Sequence, residues 1–596
     1  MRSRWQWLAV LVLTLLLLGC SLSRERVRRA DAVIAQLRDQ ETSCTADDRC
    51  AADSPYHELY QESLRAVAPQ HFVTLLDHGA DSLALRLHLV RSARKSIEVQ
   101  TFIFSSDDAG HLFLDELIRA ARRGVRVRVI ADQLFSLGDY TLLARLARAH
   151  ANFELRLYNP AFDEAATQPL EFAANLLCCF FQFNQRMHNK LLLIDGETGV
   201  AGGRNYEDRY FDWDPAFNYR DRDVAVTGVS AGRQMQASFE QFWNHKRTRT
   251  LAQLKDVNRR LLQITREPAP PWDTPIWQRP DRVAAILRQA DDWNGIVERF
   301  VARGFRVAEV DYFSDSPNKP LEPENPADKA LTRHIVDLLD SAQDEIVLQT
   351  PYLVISRPAR RVFRALRERM PELRVIVSTN SLAATDAFYV YALSHKYKKR
   401  YIKYLGFEIY ELKPFPADAA QMIQGYETLA GDAGEASGSS QRGPRIAVHA
   451  KSIVIDGKIS LIGSHNFDPR SDNYNTESGF IIHDPAFAQA LRASVLRDTE
   501  PQNAWVIARR PRPVLVERIN NAIHDFSTAL PLFDFWPFRY ATSFELKPGC
   551  TPLRTSDPHF YDCYALVGDF PGVNLPLKSI YTRIVTAFGA GLVGIL

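Results

Sequence analysis

A chain of 596 residues is too long for one ordinary domain and long enough to bury two substantial cores. Apolar residues make up 46% and charged residues 24%, the proportions of a globular protein rather than a disordered or collagen-like one. With 73 Lys and Arg against 71 Asp and Glu, the net charge of +2 excludes an overall polyanion-binding signature, and no nucleic-acid partner is expected.

Arg2 and Arg4 precede an apolar run over residues 5–18 that leads through Gly19 to Cys20. A basic start, an apolar stretch and a small residue before a cysteine predict a secretory signal over residues 1–19. The ending Leu17-Leu18-Gly19-Cys20 resembles a bacterial lipobox, which implies cleavage before Cys20 and a lipid on it. An uncleaved membrane anchor is the alternative, though the run is shorter than the ~20 residues of a comfortable transmembrane helix. Either reading places the body outside the cytoplasm. Residues 20–55 are expected to be a tether and a cysteine-closed loop. Their arginines (Arg24, Arg26, Arg28, Arg29) either touch anionic headgroups or stay solvated. Six cysteines besides Cys20 suit an oxidising compartment. Local pairs, Cys44 with Cys50 and Cys550 with Cys563, are expected, with the adjacent Cys178 and Cys179 as free buried thiols. Ligation of a metal by Cys178, Cys179 and His188 lacks proper spacing and is rejected.

From residue 56 the pattern alternates. Residues 96–104 read as a strand, 112–122 as a helix stopped at Gly124, and 125–132 as another strand. This rhythm predicts an α/β lobe with a mixed, largely parallel sheet flanked by helices over residues 56–265. Within it stands His188-Asn-Lys190, four residues, Asp195, six residues, then Gly202-Gly203-Arg204-Asn205. Residues 219–226 read as a strand carrying an acid, Asp221, toward the same place. Pro268, Pro270, Pro271, Pro275 and Pro280 mark a linker over residues 266–300.

The second half repeats the first. Residues 341–350 match 92–101, and 373–378 match the 125–132 strand. The motif returns as His449-Ala-Lys451, four residues, Asp456, six residues, then Gly463-Ser464-His465-Asn466. An internal duplication follows, with a second lobe over residues 301–500, a pseudo-twofold axis between the lobes and a C-terminal extension over 501–596. Gly/Ser-rich residues 431–444 predict a mobile loop. Residues 394–404 interleave bases with aromatics, which suits anionic headgroups or single strands, or else a helix with a solvated basic face. Residues 530–540 are dense in Phe, Trp and Pro. Residues 580–596 are apolar but too short to span a bilayer.

Side chains two apart on a strand share a face, so His188 projects with Lys190, and His449 with Lys451. Each half offers an imidazole, an ammonium and a carboxamide (Asn205, Asn466), a set suited to phosphate. Two such half-sites supply a nucleophile, a general acid and the positive charge that metal-free phosphodiester exchange needs.

The paired stretches resemble the HKD motifs of the phospholipase D superfamily. Residues 378–386, 466–472 and 475–477 look specifically like bacterial cardiolipin synthases of the C type. The resemblance covers roughly residues 55–500. It implies a metal-independent phosphatidyltransferase with no cofactor, one complete site per monomer, and double displacement through a phosphohistidine. His188 would be the nucleophile and His449 the acid and then the base. Lys190, Lys451, Asn205 and Asn466 would hold phosphoryl oxygens. Asp221 and Glu477 would orient the histidines, and Asp195 and Asp456 would support the motif turns. Phosphatidylglycerol, with phosphatidylethanolamine as a second phospholipid, would be the substrate at a membrane surface. The location would be the bacterial envelope, lipid-anchored and facing the periplasm, the outer membrane favoured over the inner. A hydrolytic phospholipase D and a nucleic-acid phosphodiesterase are the alternative readings.

Overall fold

The computed structural model describes residues 22–136, 138–167, 184–264, 272, 275–437, 443–511 and 540–573. Cys20 and the apolar start, Cys178, Cys179, three of the linker prolines (Pro268, Pro270, Pro271), nearly all of 530–540 and all of 580–596 lie outside the described residues.

The first half contains β1 (His71–Leu76), β2 (Ser96–Phe104), β3 (Arg126–Ser136), β4 (Phe153–Tyr158), β5 (Arg186–Met187) and β6 (Leu191–Ile194). It continues with β7 (Thr198–Gly202), β8 (Phe217–Arg220), β9 (Asp223–Thr227), β10 (Thr248–Thr250) and β11 (Phe305–Val307). Nine of them form one sheet in the order β10-β4-β3-β2-β6-β7-β9-β1-β11. The second half contains β12 (Glu309–Ser314), β13 (Glu345–Gln349), β14 (Arg374–Asn380), β15 (Phe407–Leu412), β16 (Arg445–Val448) and β17 (Ser452–Ile455). Then come β18 (Ile459–Gly463), β19 (Asn475–Thr476), β20 (Ser478–His483), β21 (Ala504–Arg509), β22 (Ala541–Leu546) and β23 (Tyr564–Gly568). The second sheet runs β12-β20-β18-β17-β13-β14-β15-β21-β22-β23. From β10 to β1 and from β21 to β12 the two orders correspond strand for strand, the structural counterpart of the repeated sequence.

Both sheets are mixed. Within these two sheets, parallel pairing among the described residues is confined to β2-β3-β4 and β13-β14-β15, where helices make the crossovers. The expectation of a largely parallel sheet is corrected, because the motif strands return by short hairpins, and a hairpin can only be antiparallel. The strand expected over 219–226 is two strands: the chain breaks at Asp221 and Arg222, and β8 leaves the sheet. The segment 280–307 belongs with the first lobe. Val283 and Ile286 of the helix Pro280–Asp291 enter its core, and β11 pairs with β1. Strands β21, β22 and β23 complete the second sheet from what sequence sets apart as an extension. The loop expected at 431–444 begins as the helix Tyr426–Ser437.

The motif strands are apolar on both faces because both faces are covered. On β6, Leu192 and Ile194 enter the first lobe's core, while Leu191 and Leu193 enter a layer between the sheets. On β17, Ile453 and Ile455 enter the second core and Val454 the shared layer, with Ile462 and Phe480. Burying this layer presses the two lobes together along the motif strands. Disulfides join Cys44 to Cys50 and Cys550 to Cys563. Among the described residues, no helix is long and apolar enough to cross a membrane.

Candidate active site

The two lobes exchange short strands at their junction. β16, which leads into His449, pairs in parallel with β8, Val448 opposite Arg220, so His449 and Asp221 emerge side by side. β5, which leads into His188, pairs in parallel with β19, Met187 opposite Thr476, so His188 and Glu477 do the same. The backbone N–H of His188 donates to Thr476 O (2.9 Å) and that of His449 to Arg220 O (2.9 Å). Each histidine is therefore backed by the other lobe's acid: His188 Nδ1 lies 2.8 Å from Glu477 Oε2, and His449 Nδ1 lies 2.6 Å from Asp221 Oδ2. An Nδ1–H donated to a carboxylate leaves the Nε2 lone pair for the cleft.

The glycine frame after each motif has a local cause. A Cβ on Gly203 would stand 2.1 Å from Asp221 Oδ1, so only glycine fits there. The matching position is Ser464, whose hydroxyl instead donates to Glu477 Oε2 at 2.5 Å. Asp195 and Asp456 sit in left-handed backbone (φ 56° and 51°), followed by glycines with φ 71° and 61°. Asp195 accepts the backbone N–H groups of Arg94, Lys95 and Ser96 at 2.9, 2.7 and 2.8 Å. Asp456 accepts those of Gln343, Asp344 and Glu345 at 2.9, 2.8 and 2.8 Å. Both tie the hairpin to the neighbouring strand and stand away from the histidines.

Lys190 Nζ donates to His188 O at 2.8 Å, and Lys451 Nζ lies 3.2 Å from His449 Nε2. Asn205 is buried, its Oδ1 accepting from Ile103 N (3.1 Å), which leaves the amide group as a donor. Asn466 is buried, and among the described residues its Oδ1 has no hydrogen-bond partner. Asp221 faces His449, whereas its near neighbour Asp223 bonds Arg86 (3.0 Å) and Arg204 (3.1 Å). Arg220 and Arg222, on either side of Asp221, are held by Asp77 and Asp498 in a buried network that joins the lobes. Leaving a buried charge unpaired costs roughly 3–5 kcal/mol, so this network fixes the segment between β8 and β9 that carries Asp221.

Burial makes the histidines hard to protonate. It lowers His188 to about 3, against the pull of Glu477. Burial and then the Lys451 charge lower His449 too. Burial also lowers Lys190 to about 7 and Lys451 to about 8. It would raise Glu477 and Asp221, but the facing histidines and lysines outweigh it and hold both acids below their usual range. The resting site thus holds two carboxylates, two neutral imidazoles and two ammonium groups poised to lose their charge.

The surroundings of the two histidines differ, which sequence did not reveal. Phe102 packs edge-on against His188, ring centres 4.9 Å apart. His449 instead meets Tyr210, whose hydroxyl lies 3.5 Å from Nε2, and Tyr219, with ring centres 4.9 Å apart. The Tyr219 hydroxyl donates to Asp386 Oδ2 (3.1 Å), which also accepts from the Tyr352 hydroxyl (3.0 Å). Asp386 ends the stretch 378–386 that carried the resemblance, the one signal that pointed at it. Among the described residues, no cluster of three His, Cys, Asp or Glu side chains could hold a metal ion.

The family model "Cardiolipin synthase, PLD-like domain" matches residues 87–243 and 335–499, the two lobes that meet at this site. Cardiolipin synthase C of Escherichia coli (strain K12) is 30% identical over 416 residues, 70% of this chain and 82% of that one. An uncharacterized protein of Helicobacter pylori (strain ATCC 700392 / 26695) is 27% identical over 476 residues, 79% of this chain and 87% of that one. Among solved structures, the phosphatidylserine synthase of Haemophilus influenzae Rd KW20 matches 76% of this chain and 92% of its own, at 15% identity and a TM-score of 0.47. With both motifs whole and both lobes matched, the chain belongs to the cardiolipin synthase family of phospholipase D-like phosphatidyltransferases.

Proposed function

We propose that the chain makes cardiolipin, moving a phosphatidyl group from one phospholipid to a hydroxyl of another, without a metal. The observation that carries this is the pair of imidazoles, each with Nδ1 held by the opposite lobe's carboxylate, which leaves Nε2 as the nitrogen that reacts. His188 Nε2 attacks phosphorus; the P–N bond forms as the P–O bond to the leaving alcohol breaks. His449, protonated once the anionic phosphodiester is bound, gives its Nε2 proton to that oxygen. It then takes the proton of the incoming hydroxyl, whose oxygen displaces His188 and restores the site. Lys190, Lys451 and the amides of Asn205 and Asn466 hold the phosphoryl oxygens throughout. Phosphatidylglycerol is the donor and acceptor we favour, with phosphatidylethanolamine as a second phospholipid. The Tyr210 hydroxyl beside His449 Nε2 and the Tyr219 ring packed on that histidine support an alcohol acceptor over water. One chain carries both half-sites, so a monomer suffices.

The test is mass spectrometry of lipids from cells whose only synthase is this chain, and of its purified reaction with EDTA present. Cardiolipin is expected in both; phosphatidic acid in its place would make the enzyme a hydrolase, and loss on chelation would end the metal-free scheme.

The pH profile follows from the buried charges. Lysines lowered to about 7 and 8 lose their charge as pH rises through those values, while His449 becomes harder to protonate. His188, lowered to about 3, stays neutral well into acid. We expect kcat/KM to hold below neutrality and to fall as pH rises through about 7 to 8. A profile flat to about pH 9 would remove the lysines from phosphate binding.

The envelope location rests on the residues before and at Cys20, and lipid anchoring at the outer membrane is part of the proposal. A Cys20→Ala protein processed and retained in membranes like the wild type would contradict it.

A further inference from the structure

Beside the cleft, the second lobe carries a cationic groove of about 990 Å³ that the reaction leaves unused. One wall is the helix Arg357–Arg369, whose Arg357, Arg360, Arg361 and Arg364 fall at the spacing that puts four side chains on one face. Its other face buries Phe363 and Leu366. The second wall is the end of the basic and aromatic stretch 394–404, in which Lys396, Lys398 and Lys399 are buried rather than solvated, leaving Arg400 and Tyr404 to face the groove. Among the described residues, no Asp or Glu lines this space and none of the five arginines forms an ion pair. Arg360 and Arg400 instead flank the Tyr397 ring, at 5.9 and 5.3 Å from its centre. Burial, then the like charges of Arg400 and Arg357, push Arg360 down, as expected of cations crowded without an anion.

The groove adjoins the catalytic rim. Its floor, residues 354–356, continues the loop from Tyr352, which bonds Asp386 beside His449. Pro469 and Asn473, from the short helix after Asn466, close its near end. Ile355, Ser356, Pro358 and Asn473 also line an apolar recess of about 200 Å³ on the other side of the arginine helix. A row of unpaired cations next to an apolar recess fits an amphiphile. A nucleic acid would use the arginines and have no use for the recess.

We propose that this groove binds the phosphodiester headgroup of an anionic phospholipid at the bilayer surface and so seats the cleft against the membrane. The proposal rests on the phosphatidyl-transfer reading only for the identity of the lipid that the cleft then takes. A basic residue near an anionic surface is worth about fivefold in affinity, so removing three should cost on the order of a hundredfold. The full chain and its R360Q/R361Q/R364Q variant are compared on vesicles of equal parts phosphatidylglycerol and phosphatidylcholine, and on vesicles of phosphatidylcholine alone. A lipid anchor is indifferent to the headgroup, so the preference for phosphatidylglycerol is the readout. The wild type should show that preference and lose it in high salt. The variant should lack it, while turnover of a short-chain, monomeric phosphodiester stays unchanged and the R360K/R361K/R364K variant restores binding. A glutamine variant that keeps the preference would overturn the proposal, as would one that loses only the binding of a single-stranded oligonucleotide. If the preference depends on the arginines but no phospholipid is turned over, the groove stands and the transferase reading fails.

Discussion

A His188→Ala enzyme should form no phosphohistidine with any donor, and its transfer activity should fall to background. His449→Ala should still form the intermediate from a donor whose leaving group departs without a proton. The difference follows from the roles: one ring must bond to phosphorus, the other only moves protons, a contribution of about a hundred- to ten-thousand-fold. The structure gives the asymmetry a basis. Phe102 leaves the His188 edge apolar, whereas Tyr210 and Tyr219 surround His449 with hydroxyls suited to handling an alcohol. Rapid quench and peptide mapping would locate the phosphate. Finding it on residue 449 of the wild type would exchange the roles, and finding none on either residue under any condition would remove covalent catalysis.

The repeated frame made the chemistry legible before any fold was known. Its Asp-Gly turns are written locally, in the left-handed backbone at Asp195 and Gly196 and again at Asp456 and Gly457, whereas the carboxylate that Gly203 touches and the N–H groups that Asp195 accepts come from other segments. What could not be read is which acid backs which histidine. His188 and Glu477 stand 289 positions apart, and their pairing is decided by the parallel contact of β5 with β19. Two-residue strands carry no periodic signal, and no composition marks an exchange between lobes. The mixed sheets escaped for a related reason: a strand buried on both faces is an apolar run whether its neighbour runs with it or against it. Residues 394–404 misled in another way. The basic residues suited anionic headgroups, single strands or a solvated face, but Lys398 is buried against Glu411 at 2.6 Å, a partner that only the fold supplies.

Replacing the acid behind the nucleophile should cost nearly as much as losing a proton carrier. In Glu477→Gln the amide nearly preserves the shape, yet its hydrogen bond to Nδ1 no longer fixes a single tautomer. If the amide donates, the lone pair turns to Nδ1 and the Nε2 facing the cleft carries the proton, so it cannot attack phosphorus. The lost carboxylate also leaves Lys190 and His188 without the charge that opposes burial, which lowers both further. Ser464, which donates to Glu477 at 2.5 Å, must then choose between two unlike atoms. Phosphoenzyme formation in a single turnover should slow by about a hundred- to ten-thousand-fold, the range of a proton-handling contribution. Asp221→Asn should slow the second displacement more than the first, because His449 takes the acceptor's proton there. A Glu477→Gln enzyme within tenfold of the wild type in its first turnover would mean that the carboxylate only packs beside His188, and the crossed pairing of the lobes would then be architecture rather than catalysis.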